Sequence, residues 1–224
     1  MRAMALAICV GLAAFSSSAQ AYAPQSGNGQ TYMATRAGLH NATLLIVRHG
    51  EKDGLGAGLS AAGTMRAVQY ARYFQTFKLD GKPLQIDALV ASEDSRKSER
   101  PRLTLEPFSQ TSKLVIYQPS PSHEVRDLVS WLKQRPAGQN VLISWHHTKI
   151  PALLAALKLP PATLLPKGKW PNDAFDWVLV LRFDDKGHPI ARASHLITEP
   201  DRVNDPVWST MGHPVISPLG AVKQ

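Results

Sequence analysis

The stretch Leu44-Leu45-Ile46-Val47-Arg48-His49-Gly50-Glu51 constrains the fold more than any other part of the chain. Four consecutive aliphatic residues without polar alternation read as a strand buried on both faces, as in a mainly parallel sheet. Gly50 lets the backbone turn sharply where the apolar run stops. Arg48 and His49 are therefore expected at the carboxyl edge of a strand, which is where open α/β sheets place their ligands. An arginine offers a planar fork of donors suited to phosphate or carboxylate. A histidine is the side chain most easily poised as nucleophile or acid-base near neutral pH. Side by side they point to chemistry on an anion.

The remaining patterns alternate between strand and helix. A glycine-rich loop from Lys52 to Gly58 leads to Leu59-Ser60-Ala61-Ala62-Gly63, where Ser60 is the expected N-cap of a helix with Met65, Val68, Ala71 and Phe74 on its core face. A strand over Ile86–Val90 precedes a polar run and then Arg100-Pro101-Arg102-Leu103-Thr104-Leu105-Glu106-Pro107. A short strand is expected over Leu114–Tyr117. A helix capped by Ser122 follows, with Val125, Leu128, Val129 and Leu132 on its inner side and Glu124 in its first turn. Asn140–Ser144 reads as a strand running into Trp145-His146-His147-Thr148-Lys149-Ile150-Pro151, and Ile150, Leu153, Leu154 and Leu157 give the next helix its apolar face. Trp170–Asp176 leads into a strand over Trp177–Phe183. Asp184-Asp185-Lys186-Gly187 signals a hairpin that returns over Pro189–Ile197. This order predicts one three-layer α/β domain over residues 42–197, its sheet mostly parallel and flanked by helices, with a C-terminal antiparallel hairpin.

The ends carry a different kind of information. Arg2, an apolar run from Ala3 to Phe15 and a small-residue stretch ending Ala19-Gln20-Ala21 have the layout of a cleavable signal peptide over residues 1–21. The run is shorter than the roughly 20 apolar residues a membrane helix needs. Ile8 before Cys9 is too large for a lipoprotein cleavage site, so no membrane anchor is expected and the protein is expected to be periplasmic or secreted. Residues 22–41 read as a loose leader and residues 198–224 as a proline-rich tail. Cys9 is the single cysteine. A mature chain without it has no disulfide, no thiolate zinc site and no cysteine nucleophile. The formal charge of +8 attracts anions. The basic residues are scattered and lack interleaved aromatics, which argues against nucleic acid and leaves an anionic surface, a small phosphorylated substrate or a general solubilising charge open.

The strand ending in Arg48-His49-Gly50, the Leu59-Ser60-x-x-Gly63 string, the spacing of Arg100, Thr104 and Pro107, and a strand-end histidine before an apolar helix follow one another in a familiar order. Over roughly residues 43–183 the chain resembles the histidine phosphatase (phosphoglycerate mutase-like) superfamily. The resemblance implies that His49 attacks phosphorus to form a phosphohistidine, with Arg48 and a second arginine on the phosphoryl oxygens. Arg100 is preferred for that second arginine, because Ser-x-Arg-Pro-x-x-Thr belongs to a helix start; Arg96, four residues after Ser92, is its rival. For the second histidine, counting from the strand start favours His146, whereas a Trp-x-His-x-x-Ile-Pro variant of the motif favours His147, the residue preferred here. Glu124 stands where larger relatives carry the acid that protonates the leaving group. It equally suits a helix N-terminus, and Glu51 and Asp53 are substitutes beside the nucleophile. Glu51, Ser60 and His146 are further candidates for substrate contact. No metal and no cofactor is implied, and the adjacent histidines have no acidic or cysteine ligand placed with them. The expected activity is metal-independent hydrolysis of phosphomonoesters. An exported domain that only binds a phosphorylated or acidic ligand in the same pocket is the alternative, and a mutase acting on sugar acids is a third.

Overall fold

The computed structural model describes residues 37–54 and 56–199. The signal segment with Cys9, most of the leader and nearly all of the tail expected from sequence lie outside the described residues. In chain order the elements are β1 (Thr43–Arg48), α1 (Ala61–Gln75), β2 (Lys78–Leu79), β3 (Lys82–Pro83), β4 (Ala88–Ala91), α2 (Arg100–Ser112), β5 (Ile116–Tyr117), α3 (Val125–Leu132), β6 (Asn140–Trp145), α4 (Ile150–Ala156), β7 (Trp177–Arg182) and β8 (His195–Thr198).

All six residues of β1 are buried, as an unbroken aliphatic run demands. The strand pairs in parallel with β6 on one side and antiparallel with β7 on the other. The whole sheet has the order β5-β4-β6-β1-β7-β8, in which β5, β4, β6 and β1 run parallel and the β7–β8 pair supplies the antiparallel edge. Successive β1 side chains enter opposite layers. Leu45 and Val47 pack with Tyr70 and Phe74 of α1 and Leu105 and Phe108 of α2. Leu44 and Ile46 pack with Leu128 and Leu132 of α3 and Leu153 and Leu154 of α4. Each such side chain withdrawn from water contributes roughly 1.5–3 kcal/mol, so this double burial outweighs local propensity in fixing short strands such as β4. The three-layer, mostly parallel architecture with a C-terminal antiparallel pair matches the sequence expectation.

Several boundaries and faces differ. Residues 86–87 and 114–115 fall outside β4 and β5, which are shorter than their apolar runs. The inner face of α1 is Gly63, Arg66, Ala67, Tyr70, Ala71 and Phe74, while Met65 is 63% exposed. The helix is turned so that Gly63 and Arg66, not Met65, meet the chain after His49. Ser122 does not cap α3; Glu124 takes the N-cap position without a side-chain bond, and the Ser122 carbonyl instead accepts Trp145 Nε1–H at 3.1 Å. The return from the hairpin is not one strand. The Asp184 Oδ1 atom accepts the N–H groups of Lys186 and His188, a short 3₁₀ turn occupies Ala191–Ala193, and pairing resumes only at His195. The β2–β3 hairpin was missed, although Asp80-Gly81 between Leu79 and Lys82 is a standard two-residue turn signal. Both residues adopt positive φ there.

Candidate active site

Neighbouring parallel strands β1 and β6 end side by side, with Arg48 paired to Trp145 and the His49 N–H donating to the Trp145 carbonyl at 3.1 Å. This register places His49 beside His146, whose ring meets it edge-on at 4.9 Å between centroids. His49 is buried and its Nδ1 lies 2.7 Å from the Gly50 carbonyl. A carbonyl only accepts, so Nδ1 carries the proton and Nε2 keeps its lone pair.

The turn after His49 is held by close backbone contacts. The Gly50 N–H donates to Thr104 Oγ1 at 2.9 Å, and the same hydroxyl donates to the Arg100 carbonyl at 2.7 Å. One threonine on α2 thus ties the turn after His49 to Arg100. A Cβ on Gly50 would lie 2.9 Å from the Gly63 carbonyl oxygen, and one on Gly63 would lie 2.8 Å from the Glu51 nitrogen. Gly63 therefore admits the backbone of residues 50–51 against α1.

Arg48 and Arg100 are both nearly buried. The Arg48 guanidinium lies over the Phe175 ring at 3.7 Å, and its Nη1 donates to the carbonyls of Asn172 at 2.6 Å and Ala174 at 3.3 Å. Arg100 Nη1 reaches the carbonyls of Gly56, Ala57 and Gly58 at 3.1–3.4 Å, and Nη2 reaches the Lys97 carbonyl. The glycine loop thus turns these carbonyls to Arg100. The Nε atoms of both arginines are buried without a protein partner.

Burial holds His49 down at about 3, and the charges of His146, Arg100 and Arg48 add to the effect against the Gly50 bond. Burial also lowers His146 to about 4, with Arg100, His147 and Lys149 contributing. Both rings are neutral at pH 7, as a nucleophile requires. Arg48 falls to about 10 through burial and keeps its charge. His147 is lowered by burial and then by Arg48, against the favourable contact of its Nε2 with Asn172 Oδ1 at 2.9 Å.

The other expected residues divide clearly. Arg96 is exposed in the turn before α2. His147 is held by Asn172, while His146 is the one packed on His49. Glu51 forms a bidentate pair with Arg66 at 2.6–2.9 Å. The Ser60 hydroxyl caps α1 by accepting the Gly63 N–H. Glu124 is exposed and interacts with His123 and Asp127; the adjacent Asp127 carboxylate raises its pKa. Asp53 acts electrostatically on Arg100. Sequence reading missed the segment Trp170–Asp176 as part of the site. Its signal was available in Trp170-Pro171-Asn172, an aromatic, proline and amide cluster just ahead of a central strand.

No protein-family profile matches the chain, and comparison with curated proteins returns no match. Among solved structures, the chain is similar to a Nakamurella multipartitia protein assigned as the phosphohistidine phosphatase SixA, at 19% identity and a TM-score of 0.44 over 70% of this chain and 93% of that one. A mycobacterial glucosyl-3-phosphoglycerate phosphatase is 18% identical, with a TM-score of 0.42 over 70% and 96% of the two chains. A phosphoglycerate mutase from Bacillus anthracis is 15% identical, with a TM-score of 0.41 over 74% and 93%.

Proposed function

We propose that this protein is a phosphohydrolase that cleaves phosphomonoesters through a phosphohistidine on His49. The observation that carries this reading is the Nδ1 contact of a neutral, buried His49 with the Gly50 carbonyl, which leaves Nε2 as the nucleophilic atom between two arginines. In the first step Nε2 bonds to phosphorus as the ester P–O bond breaks. In the second, water breaks the P–N bond and releases phosphate and free His49. Arg48, Arg100 and His146 stabilise the equatorial oxygens, a task of positioning and charge that proceeds without a metal in this reading. The acid that protonates the leaving oxygen comes from Glu124 or, as a substitute beside His49, from Asp53, whose charge reaches Arg100. The chain acts outside the cytoplasm, a proposal that rests on the N-terminal segment alone.

The test is trapping of phosphate from a ³²P-labelled monoester by a denaturing quench at alkaline pH, where the P–N bond survives, with EDTA present, on wild type and His49→Ala. Label held by wild type and lost in the variant supports the reading. Turnover by His49→Ala would overturn it. Phosphate binding without labelling or turnover would favour the ligand-binding alternative.

A further inference from the structure

The Arg48 fork does not stand alone in the pocket; it is gripped by the segment Pro171–Phe175. Three carbonyls of this strap, from Pro171, Asn172 and Ala174, converge on the same nitrogen, and the Phe175 ring lies beneath the guanidinium plane. The strap is itself fastened at three places. Trp170 Nε1–H donates to the Ala174 carbonyl at 2.9 Å. Tyr70 Oη–H donates to the Phe175 carbonyl at 2.8 Å. His147 meets the Asn172 amide oxygen at 2.9 Å. Asn172 is the point where these restraints meet the arginine, since its backbone oxygen holds Arg48 while its side-chain oxygen holds His147. As Oδ1 only accepts, His147 Nε2 carries the proton of that contact. His147 is half-buried and, among the described residues, its other nitrogen, Nδ1, has no hydrogen-bond partner, so the ring's hydrogen bond there goes to the strap.

We propose that Asn172 is a positioning residue of the anion site, and that His147 serves as its anchor: the His147–Asn172 contact fixes the strap that aims the Arg48 fork at the phosphoryl group. The inference rests on the reading of this pocket as a phosphoryl site. It gives adjacent histidines different tasks, His146 acting beside His49 and His147 acting through Asn172 on Arg48. Pre-organisation of this kind matters because a donor already aimed at the developing charge costs no reorganisation at the moment of reaction.

The experiment measures inorganic phosphate affinity by calorimetry and kcat/KM on a phosphomonoester for wild type, Asn172→Ala, His147→Ala, the double variant, and Asn172→Ala in an Arg48→Ala background. Each single variant should weaken phosphate binding about fivefold to tenfold, the size of one buried hydrogen bond. The double variant should be no worse than either single one, since both remove the same contact. In the Arg48→Ala background, Asn172→Ala should have no further effect. Asn172→Asp, which keeps the acceptor, should restore affinity and raise the His147 pKa seen by NMR. Additive losses, an undiminished effect without Arg48, or unchanged affinity in folded single variants would overturn the inference. Wild type that binds phosphate but does not turn it over would refute the enzymatic reading while leaving these affinity comparisons decisive. Wild type that binds no phosphate would refute both.

Discussion

The two halves of the pocket hold their arginines in contrasting ways. Arg48 lies on an aromatic ring, and its strap is fastened by Trp170, Tyr70 and His147. Arg100 is surrounded by carbonyls of a loop whose Gly54 and Gly56 have positive φ and open space where a Cβ would stand. Each half also has its own histidine, because the charge of Arg48 falls on His147 and that of Arg100 on His146. One half is built before any ligand arrives, and the other is lined by chain with little packed against it. The difference teaches that equal burial of two arginines does not make them equally pre-organised.

Substituting the arginines should break the comparison most strongly. Arg48→Ala should lower kcat/KM about a hundredfold to a thousandfold, the usual cost of removing one aimed donor from a polar site. Arg100→Ala should cost roughly tenfold less, since its loop must still settle around the anion. Arg48→Lys should recover little, because a lysine neither forks nor lies flat on Phe175. Steady-state kinetics decide this, and an equal loss at both arginines would erase the distinction. Next in size, His146→Ala should lower kcat by about a hundredfold, at the lower end of the same range. His147→Ala should act mainly on phosphate affinity. The reverse order would return the second catalytic role to His147.

The alternation of buried strands and amphipathic helices was legible in sequence because burial on both faces of a parallel sheet leaves little room for polar residues. Leu44–Val47 and Leu142–Ile143 illustrate it. The candidates Arg48 and His49 were legible for a related reason, since they sit where such a run ends, whereas Arg100 opens α2 after a polar stretch and was reached through its spacing to Thr104 and Pro107. What was not legible depends on rotation and distance in space. The face of α1 is set by the approach of Gly63 to Glu51, not by the spacing of its apolar residues. The choice between His146 and His147 turns on which ring β6 delivers to His49, a matter of one residue in register. The strap lies more than 120 positions from Arg48 in the chain, and its contacts use backbone carbonyls, which every residue carries. Ser60 and Glu51 were placed near the pocket by proximity in sequence, but their polar atoms are engaged by α1.

Two glycine substitutions sharpen the contrast at the level of stability. Gly63→Ala drives a methyl group into the backbone of residues 50–51, beneath the Arg48 half, and overpacking of this kind costs roughly 1–3 kcal/mol. Gly56→Ala meets no atom and bears only the strain of its φ of +98°, about 1 kcal/mol. Thermal unfolding should therefore show a larger drop in Tm for Gly63→Ala, with a loss of turnover because the His49 turn shifts. Equal drops would mean that the loop is packed more tightly than its open glycines indicate.

The smallest expected effect comes from a buried acid on the strap side. Glu199 is 3% exposed, its N–H donates to the Asp176 carbonyl, and both carboxylate oxygens are buried. Burial pushes it up to about 7, with Asp176 and Glu51 adding to the rise and Arg66 and Tyr70 opposing it. A carboxyl whose folded pKa exceeds its ordinary value of 4.5 favours folding fully below that value. The contribution fades as pH rises through 7, because the unfolded chain releases the proton first. His49 and His146 work in the other direction. Their folded values of about 3 and about 4 lie below the ordinary 6.5, so their contribution is complete above 6.5 and is lost as pH falls toward 3. Glu199→Gln, an uncharged mimic of the protonated acid, should leave the acid limb set by the histidines untouched and remove the alkaline decline. Its Tm should match wild type near pH 4 and exceed it by a few degrees at pH 8, a shift corresponding to about 1 kcal/mol in a domain of this size. Melting curves across that range decide the matter. A gain that is the same at every pH would show that the amide improves packing, and no gain at pH 8 would show that Glu199 ionises without penalty, leaving no alkaline decline to set the strap side apart from the loop side.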